Sequence, residues 1–477
     1  MRKYDFDVLV IGEGSAGLTA AKLASGLGKK TAMADREKLG GECTWTGCIP
    51  SKALLKSSAA YRSLFTMDKL GIKPGLKEKD FKTSEIFKKV QDIRENVYNS
   101  HPPAAFEEAG IKVFEHKHAQ FIDNHNVRIG DKEYSADKII IATGSSPSIP
   151  PIPGLSGVEY RTNQNIFDLK QVPASIIIIG GGAIGAEMAT AFAQLGSDVT
   201  ILEAEGNILP REEREVSSFI TEEMESLGIK IYTGISIKEV FGKAVKKVMI
   251  EEDGEKKTFS AAEIFVAAGR KPNIEGLSLE LAGVHYSSKG ITTDEYMQTS
   301  AKNIYACGDV AGPYQFSHMA GYQAKVAVSN ALLPFKKKAD YSNVPWITFT
   351  SPECARSGLT EAEAREMFGT GIKIFRKEYE HLDRSITDRN LRGFAKVITR
   401  KNGKIIGIHI CGERAGEVMH ELHLAKTMGI PLYKLQKVIH AYPSYSDIIK
   451  DISKDAYIDR IMSNPVVKFI SFLRGRK

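Results

Sequence analysis

A chain of 477 residues, 42% hydrophobic and 26% charged, is long enough for roughly three domains with their own cores and has the composition of an ordinary globular protein. The net charge of +7, from 65 basic and 58 acidic residues, is spread along the chain with no basic block interleaved with aromatics, which argues against a nucleic-acid partner. No apolar run reaches the length of a membrane span, and the opening MRKYDFDVLVIGEG lacks the pattern of a signal peptide, so the cytoplasm is the expected compartment.

The first predicted element is an apolar strand, DVLVI, followed by Gly12-x-Gly14-x-x-Gly17, a helix with the spacing of LTAAKLASGLG, and a short second strand, TAMAD, ending at Asp35. This is the full context of a dinucleotide fingerprint. Glycines allow a tight turn and close approach of backbone to a pyrophosphate, the helix N-terminus faces the negative charge, and an acid about 20 residues on accepts from a ribose hydroxyl. Next comes GGECTWTGCIPSKALLK, with Cys43 and Cys48 close together in a chain holding five cysteines. Four intervening residues do not suit a zinc knuckle and no second pair completes four ligands, so no metal site is expected there. Pro50 suits a first helical turn, which puts Cys48 at a helix N-terminus where the unpaired amides stabilise a thiolate. A transient disulfide is then the expected chemistry in a reducing compartment.

The strand KIIIATG ends at Thr143 and Gly144, and the proline-rich SSPSIPPIPG after it marks a boundary near residue 150. The fingerprint then recurs in SIIIIGGGAIGAEMATAFAQLGSDVTILEAE, with Gly180, Gly182 and Gly185 in the turn and Glu203 at the end of its second strand. Two fingerprints imply two dinucleotides, one held tightly and one exchanging. A carboxylate at Glu203, with no arginine before Arg211, suits the 2′-hydroxyl of NAD and repels the 2′-phosphate of NADP, so NADH is expected over NADPH. EIFVAAG repeats the strand-then-glycine theme at Gly269, and NIYACGD places Asp309 at the C-terminal end of another strand, where α/β sheets bind ligands. Beyond residue 341, β-type runs such as WITFT, GFAKVIT and KIIGIHI give way to helix EVMHELHLAKTMG, an α+β texture. Cys307 lies in the apolar run before Gly308, and Cys354 and Cys411 fall singly in the C-terminal unit; all three read as core residues.

In these motifs the chain resembles the class I pyridine nucleotide-disulfide oxidoreductases, the family of glutathione reductase, dihydrolipoamide dehydrogenase and mercuric reductase, over nearly its whole length. The resemblance implies two Rossmann-like α/β domains for FAD and NAD and a C-terminal α+β dimerisation domain. The corresponding division is 1–150 and 275–340 for FAD, 151–274 for NAD, 341–464 for dimerisation and 465–477 as a basic amphipathic tail. It implies that Cys48 is the cysteine nearest the flavin and Cys43 the outer, interchange thiol, and that Lys52 and Glu187 pair beside the flavin ring. It further implies that Asp309 binds the ribityl chain, that Gly12, Gly14, Gly17 and Asp35 surround the ADP half, and that the protein is a homodimer in which each site borrows the segment around Tyr442.

One position departs from the familiar members. Glutathione reductase and dihydrolipoamide dehydrogenase have a histidine before a proline in the last domain, backed by a glutamate, which exchanges protons with the interchange thiol. Here HAYPSYSD places Tyr442 before Pro443, with Asp447 at the acid position and His440 two residues early. Mercuric reductases share the tyrosine, and the tryptophan of CTWTGC and the run Asp383 to Ile386 lean towards that branch, yet no cysteine follows Cys411 to supply their terminal metal-delivering pair.

The leading expectation is therefore an FAD-dependent, NADH-oxidising reductase acting through Cys43 and Cys48 on a metal ion, a quinone or a protein disulfide. The alternatives are a divergent dihydrolipoamide dehydrogenase using His440 or Tyr442 for protons, and a redox-sensing flavoprotein whose output is a partner contact. The tail is expected to pack as a short helix on its own domain, with contact to an anionic membrane surface the less favoured reading.

Overall fold

The computed structural model describes residues 4–73, 83–252 and 254–468 and divides into two compact units. Among the described residues, the first unit comprises 4–58, 83–180 and 237–340. Its main sheet starts from Phe6–Ile11, which is flanked in parallel by Thr31–Ala34 and Lys132–Ile141. Ile111–Phe114 continues one edge in parallel, Ile304–Ala306 lies parallel to the far end of Lys132–Ile141, and Asn126–Ile129 and Ala119–Phe121 add an antiparallel edge. The central strands are buried on both faces, which is why DVLVI and KIII read as continuous apolar runs rather than alternating ones. One face packs Leu9, Ile139, Ile141 and Phe121; the other packs Val8, Val10 and Ile140 against Ala16, Ala20 and Ala24 of helix Ser15–Gly26 and against helix Ser317–Leu332. The small alanines let that helix approach the sheet closely.

The same unit holds a three-stranded antiparallel meander, Ser236–Phe241, Lys246–Glu252 and Glu255–Ala261, and the parallel pair Ser175–Ile179 and Glu263–Val266. Ser145–Pro147 pairs antiparallel with Arg270–Pro272.

Among the described residues, the second unit comprises 59–73, 181–236 and 341–468. It contains helix Ala183–Gln194, the parallel strands Asp198–Leu202 and Lys230–Tyr232, and helix Arg214–Ser226. It also contains a five-stranded antiparallel sheet in the order Pro345–Thr348, Glu353–Gly358, Ile405–Gly412, Phe394–Arg400, Ile372–Glu378. Helices Ala415–Thr427 and Asp447–Met462 bury Val418, Met419, Leu422, Ile448, Ile449 and Ile452 in one core with Ala355, Val397, Ile408 and Ile410 of this sheet. The α+β texture expected beyond residue 341 is this sheet with its helices. Of the basic tail, residues 469–477 lie outside the described residues, and Val466 just before them is exposed.

Candidate active site

Both fingerprints fold into the same turn. Gly12 has φ 112° and Gly180 φ 108°, a region that costs a side chain heavily. A Cβ on Gly12 would also strike the carbonyl of Ala142, and one on Gly180 would strike that of Ala267. Those carbonyls open the Ala142-Thr143-Gly144 and Ala267-Ala268-Gly269 runs, so the strand-then-glycine theme at Thr143 and at Gly269 lies directly against each fingerprint glycine. A Cβ on Gly17 would collide with the carbonyl of Gly12, which fixes how closely the first helix seats on its strand.

The acids at the strand ends are equivalent in bonding as well as in sequence. Asp35 accepts the Glu13 N–H at 2.8 Å and the Glu37 N–H at 2.9 Å. Glu203, buried, accepts the Gly181 N–H at 2.5 Å and the Glu205 N–H at 2.8 Å. Each carboxylate thus grips the amide just past the first fingerprint glycine and the amide two residues beyond itself. The register of Asp35 is thereby matched to that of Glu203. Gly12, Asp35, His118, Thr143 and Leu277 line one cavity in the first unit. With its glycine cradle and strand-end acid, this lining fits the ADP half of a dinucleotide. Thr143 donates to the Asn273 carbonyl at 2.7 Å and Asn273 returns a bond to the Thr143 carbonyl at 2.9 Å, closing the cavity wall.

Glu13 lies in this turn with its side chain entirely buried and no hydrogen-bond partner for either oxygen among the described residues. Burial, then the nearby Asp35 and Glu115, pushes its carboxyl up to about 8.

Cys43 sits in the short helix Gly41–Trp45, and Cys48 is the first residue of helix Cys48–Leu64, with Pro50 in its first turn as expected. Both are thiols in this structure, Cys43 half-buried and Cys48 exposed. Cys48 Sγ lies 3.4 Å from Ser317 Oγ, at the start of helix Ser317–Leu332. Contact with Cys48, followed by burial, drives the Cys43 thiol well above the ordinary cysteine range, so Cys43 holds its proton against its neighbour. Lys52 follows Cys48 by one helical turn and shares its face.

No local spacing announces the polar network under this pair. Glu42, directly before Cys43, contacts the Arg270 guanidinium and the Asn163 amide, and Asn163 also donates to the Thr46 carbonyl at 3.2 Å. Arg270 in turn donates to Ser145 Oγ at 2.9 Å and lies 3.7 Å from Asp309, whose carboxylate accepts from Ser145 at 2.5 Å. Asp309 is therefore tied, through Ser145 and Arg270, to the helix that carries Cys43. The available signal was positional: Arg270 directly follows Gly269, and Glu42 directly precedes the first cysteine.

In the second unit, Glu187 is buried on helix Ala183–Gln194 and accepts the Phe349 N–H at 3.1 Å. Tyr442 is 70% exposed, and its hydroxyl donates to Asp383 at 2.7 Å. That bond moves the phenol above its usual range. Asp447 is bonded elsewhere: it accepts the Ser444 N–H at 3.1 Å and pairs with Lys450 at 2.5 Å, at the start of helix Asp447–Met462. His440 is packed, with Nε2 3.0 Å from Glu421.

Residues 6–330 match the pyridine nucleotide-disulphide oxidoreductase family, and residues 344–452 match its dimerisation domain. A mercuric reductase of Staphylococcus aureus is 34% identical over 457 residues, 94% of this chain and 82% of that protein. A dihydrolipoyl dehydrogenase of Bacillus subtilis is 34% identical over 464 residues, 94% of this chain and 96% of that protein. The HOCl-induced flavoprotein disulfide reductase RclA from Escherichia coli, also solved as a Cu(II) complex, superposes with a TM-score of 0.83 at 27% identity, covering 94% of this chain and 99% of that one. The glycine turns, the cysteine helix and these likenesses agree: the chain belongs to the pyridine nucleotide-disulfide oxidoreductases, as a flavoprotein disulfide reductase with a dimerisation domain.

Proposed function

We propose that this protein is a homodimeric, NADH-oxidising reductase that delivers electron pairs through Cys43 and Cys48 to an acceptor requiring little proton management: a metal ion, a quinone or a protein disulfide with its own acid. The observation that carries this reading is Tyr442. Its one hydroxyl proton is committed to Asp383, and a phenol is a poor proton acceptor near neutral pH. A thiol attacking a disulfide needs its leaving thiolate protonated, which Tyr442 in this arrangement does not do. Among the similar proteins, the mercuric reductase and the reductase solved as a Cu(II) complex accord with a metal-ion acceptor, and the equally similar dihydrolipoyl dehydrogenase accords with the second reading below.

The residues divide the work between two dinucleotides and the cysteine pair. Gly12, Gly14, Gly17, Asp35, Thr143, Gly144 and Asp309 of 1–150 and 275–340 hold FAD, and Gly180, Gly182, Gly185, Glu203 and Gly269 of 151–274 hold the nicotinamide dinucleotide. When bound, FAD supplies the exchange between a hydride donor and a dithiol. Reducing the cysteine pair breaks the S–S bond with two electrons and, with one sulfur left as thiolate, takes up one proton. Cys43 keeps its proton, whereas Cys48, at a helix N-terminus, is the sulfur that carries negative charge. Lys52, one turn on, adds a positive charge to the face that Cys48 presents, and Glu187 is held by the Phe349 amide. Glu203 selects NADH, because its buried carboxylate repels a 2′-phosphate.

A second reading, a divergent dihydrolipoamide dehydrogenase, draws on the His440–Glu421 pair, a histidine and carboxylate two residues from the expected position. One experiment separates the two. Purified protein is titrated anaerobically with NADH and with NADPH, then offered mercuric ion, Cu(II), quinones, glutathione disulfide, and dihydrolipoamide with NAD. Higher kcat/KM for NADH and for the metal ions or quinones is expected. Higher kcat/KM for NADPH removes the role of Glu203, and efficient dihydrolipoamide turnover lost in His440→Ala establishes the second reading.

A further inference from the structure

Cys354 and Cys411 are far apart in sequence, yet the fold sets them directly opposite each other on neighbouring antiparallel strands, Glu353–Gly358 and Ile405–Gly412. The phase of the ladder decides what that opposition means. Leu359 N–H donates to the Ile406 carbonyl at 2.9 Å, so Leu359 and Ile406 form a hydrogen-bonded pair. Hydrogen-bonded and non-hydrogen-bonded pairs alternate along an antiparallel ladder. Ser357 with Ile408 and Ala355 with Ile410 are then hydrogen-bonded, whereas Arg356 with His409 and Cys354 with Cys411 are not. Non-hydrogen-bonded partners have α-carbons about 4.5 Å apart and side chains on one face in contact, and a disulfide accepts α-carbon separations of about 4.4 to 6.8 Å.

We propose that Cys354 and Cys411 are a second redox dithiol, which closes to a cross-strand disulfide when the protein meets a two-electron oxidant of the peroxide class. The chemistry balances with hydrogen peroxide alone. One sulfur attacks the peroxide, the O–O bond breaks, and a sulfenic acid and water result. The second sulfur then attacks the sulfenic sulfur, the S–O bond breaks, and the oxygen leaves as a second water, giving one S–S bond for one peroxide consumed. The geometry supplies the resolving thiol at the point of attack. Cys307, equally buried, has no cysteine opposite it and lacks that outlet.

The two thiols are 2% and 0% exposed, and burial holds both well above the ordinary thiol range, with Cys354 adding to the effect on Cys411. Closure is therefore slower than at the exposed Cys48. Once closed, the bond joins two of the inner strands of the five-stranded sheet and records sustained rather than brief oxidation.

The test uses the full-length flavoprotein. It is treated with hydrogen peroxide in the presence of a chelator, sampled well past complete linkage of Cys43 to Cys48, and quenched with N-ethylmaleimide in denaturant. It is then digested without reduction and analysed by mass spectrometry. The expected result is a peptide pair joined through Cys354 and Cys411, released by dithiothreitol, while Cys307 is recovered alkylated. Recovery of Cys354 and Cys411 as separate alkylated or sulfinic peptides after Cys43 and Cys48 are fully linked overturns the proposal. So does a scrambled set in which Cys307 is linked as often.

Discussion

Replacing Glu13 by glutamine tests the electrostatics of the first glycine turn quantitatively. The carboxyl moves from an ordinary value of 4.5 to about 8 in the folded protein, because it is buried without a partner beside Asp35. Between these two values the unfolded chain has lost the proton and the folded chain has kept it, so stability falls as pH rises through this window. One pKa unit corresponds to about 1.4 kcal/mol, so wild type loses about 2 kcal/mol by pH 6, about 3 by pH 7 and close to 5 above pH 8. The amide variant has no charge to lose and escapes that slope, although its buried carboxamide carries a constant cost at every pH. Only the pH dependence of the difference is therefore diagnostic. Unfolding of wild type and Glu13→Gln is followed by denaturant titration from pH 5 to pH 9, at fixed flavin and protein concentrations. The variant is expected to gain on wild type by about 3 kcal/mol between pH 6 and pH 9. A difference that stays flat across this range would falsify the assignment of a neutral, unpartnered carboxyl.

The remaining predictions concern the turns and the redox residues. Gly12→Ala forces a side chain into φ 112° and against the Ala142 carbonyl, and is expected to cost at least about 2 kcal/mol and to abolish flavin retention; normal flavin content after gel filtration would refute the tight-turn argument. A Cys48 thiolate beside oxidised flavin gives a long-wavelength charge-transfer absorbance, which should appear in wild type on two-electron reduction by NADH, be present without reduction in Cys43→Ala and be absent in Cys48→Ala; the opposite pattern inverts the roles of the pair. Tyr442→His is expected to raise glutathione disulfide or dihydrolipoamide turnover by about 10²-fold, the usual scale of general acid–base assistance, while Tyr442→Phe leaves quinone reduction largely unchanged. Unaltered disulfide turnover in Tyr442→His shows that the acceptor class is set elsewhere. A lone-subunit species by light scattering that retains full turnover would contradict the homodimer.

Much of the architecture is legible locally because its determinants are local. A strand, a glycine turn and a helix occupy consecutive residues, and the demand for positive φ at Gly12 and Gly180 is met by residue type alone. The same holds for Cys48, whose place at a helix start follows from Pro50 two residues on. The acids at Asp35 and Glu203 are legible by their offset from the glycines, since strand and helix lengths fix where the second strand ends.

What tertiary structure decided are the pairings between residues distant in the chain, where no local spacing carries the information. The Tyr442 hydroxyl is bonded to Asp383, 59 residues away in the chain, while Asp447, at the acid position the family resemblance implies, accepts from the Ser444 N–H and pairs with Lys450. Glu42 meets Arg270 only because Ser145–Pro147 and Arg270–Pro272 pair beside the helix of Cys43. Cys354 and Cys411, each an ordinary buried cysteine by its neighbours, become a facing pair through the register of two strands. A register shift of one residue would end that opposition. Burial without a partner at Glu13 is likewise a property of the assembled turn, for a glutamate between two glycines on an extended chain is fully solvated and titrates normally.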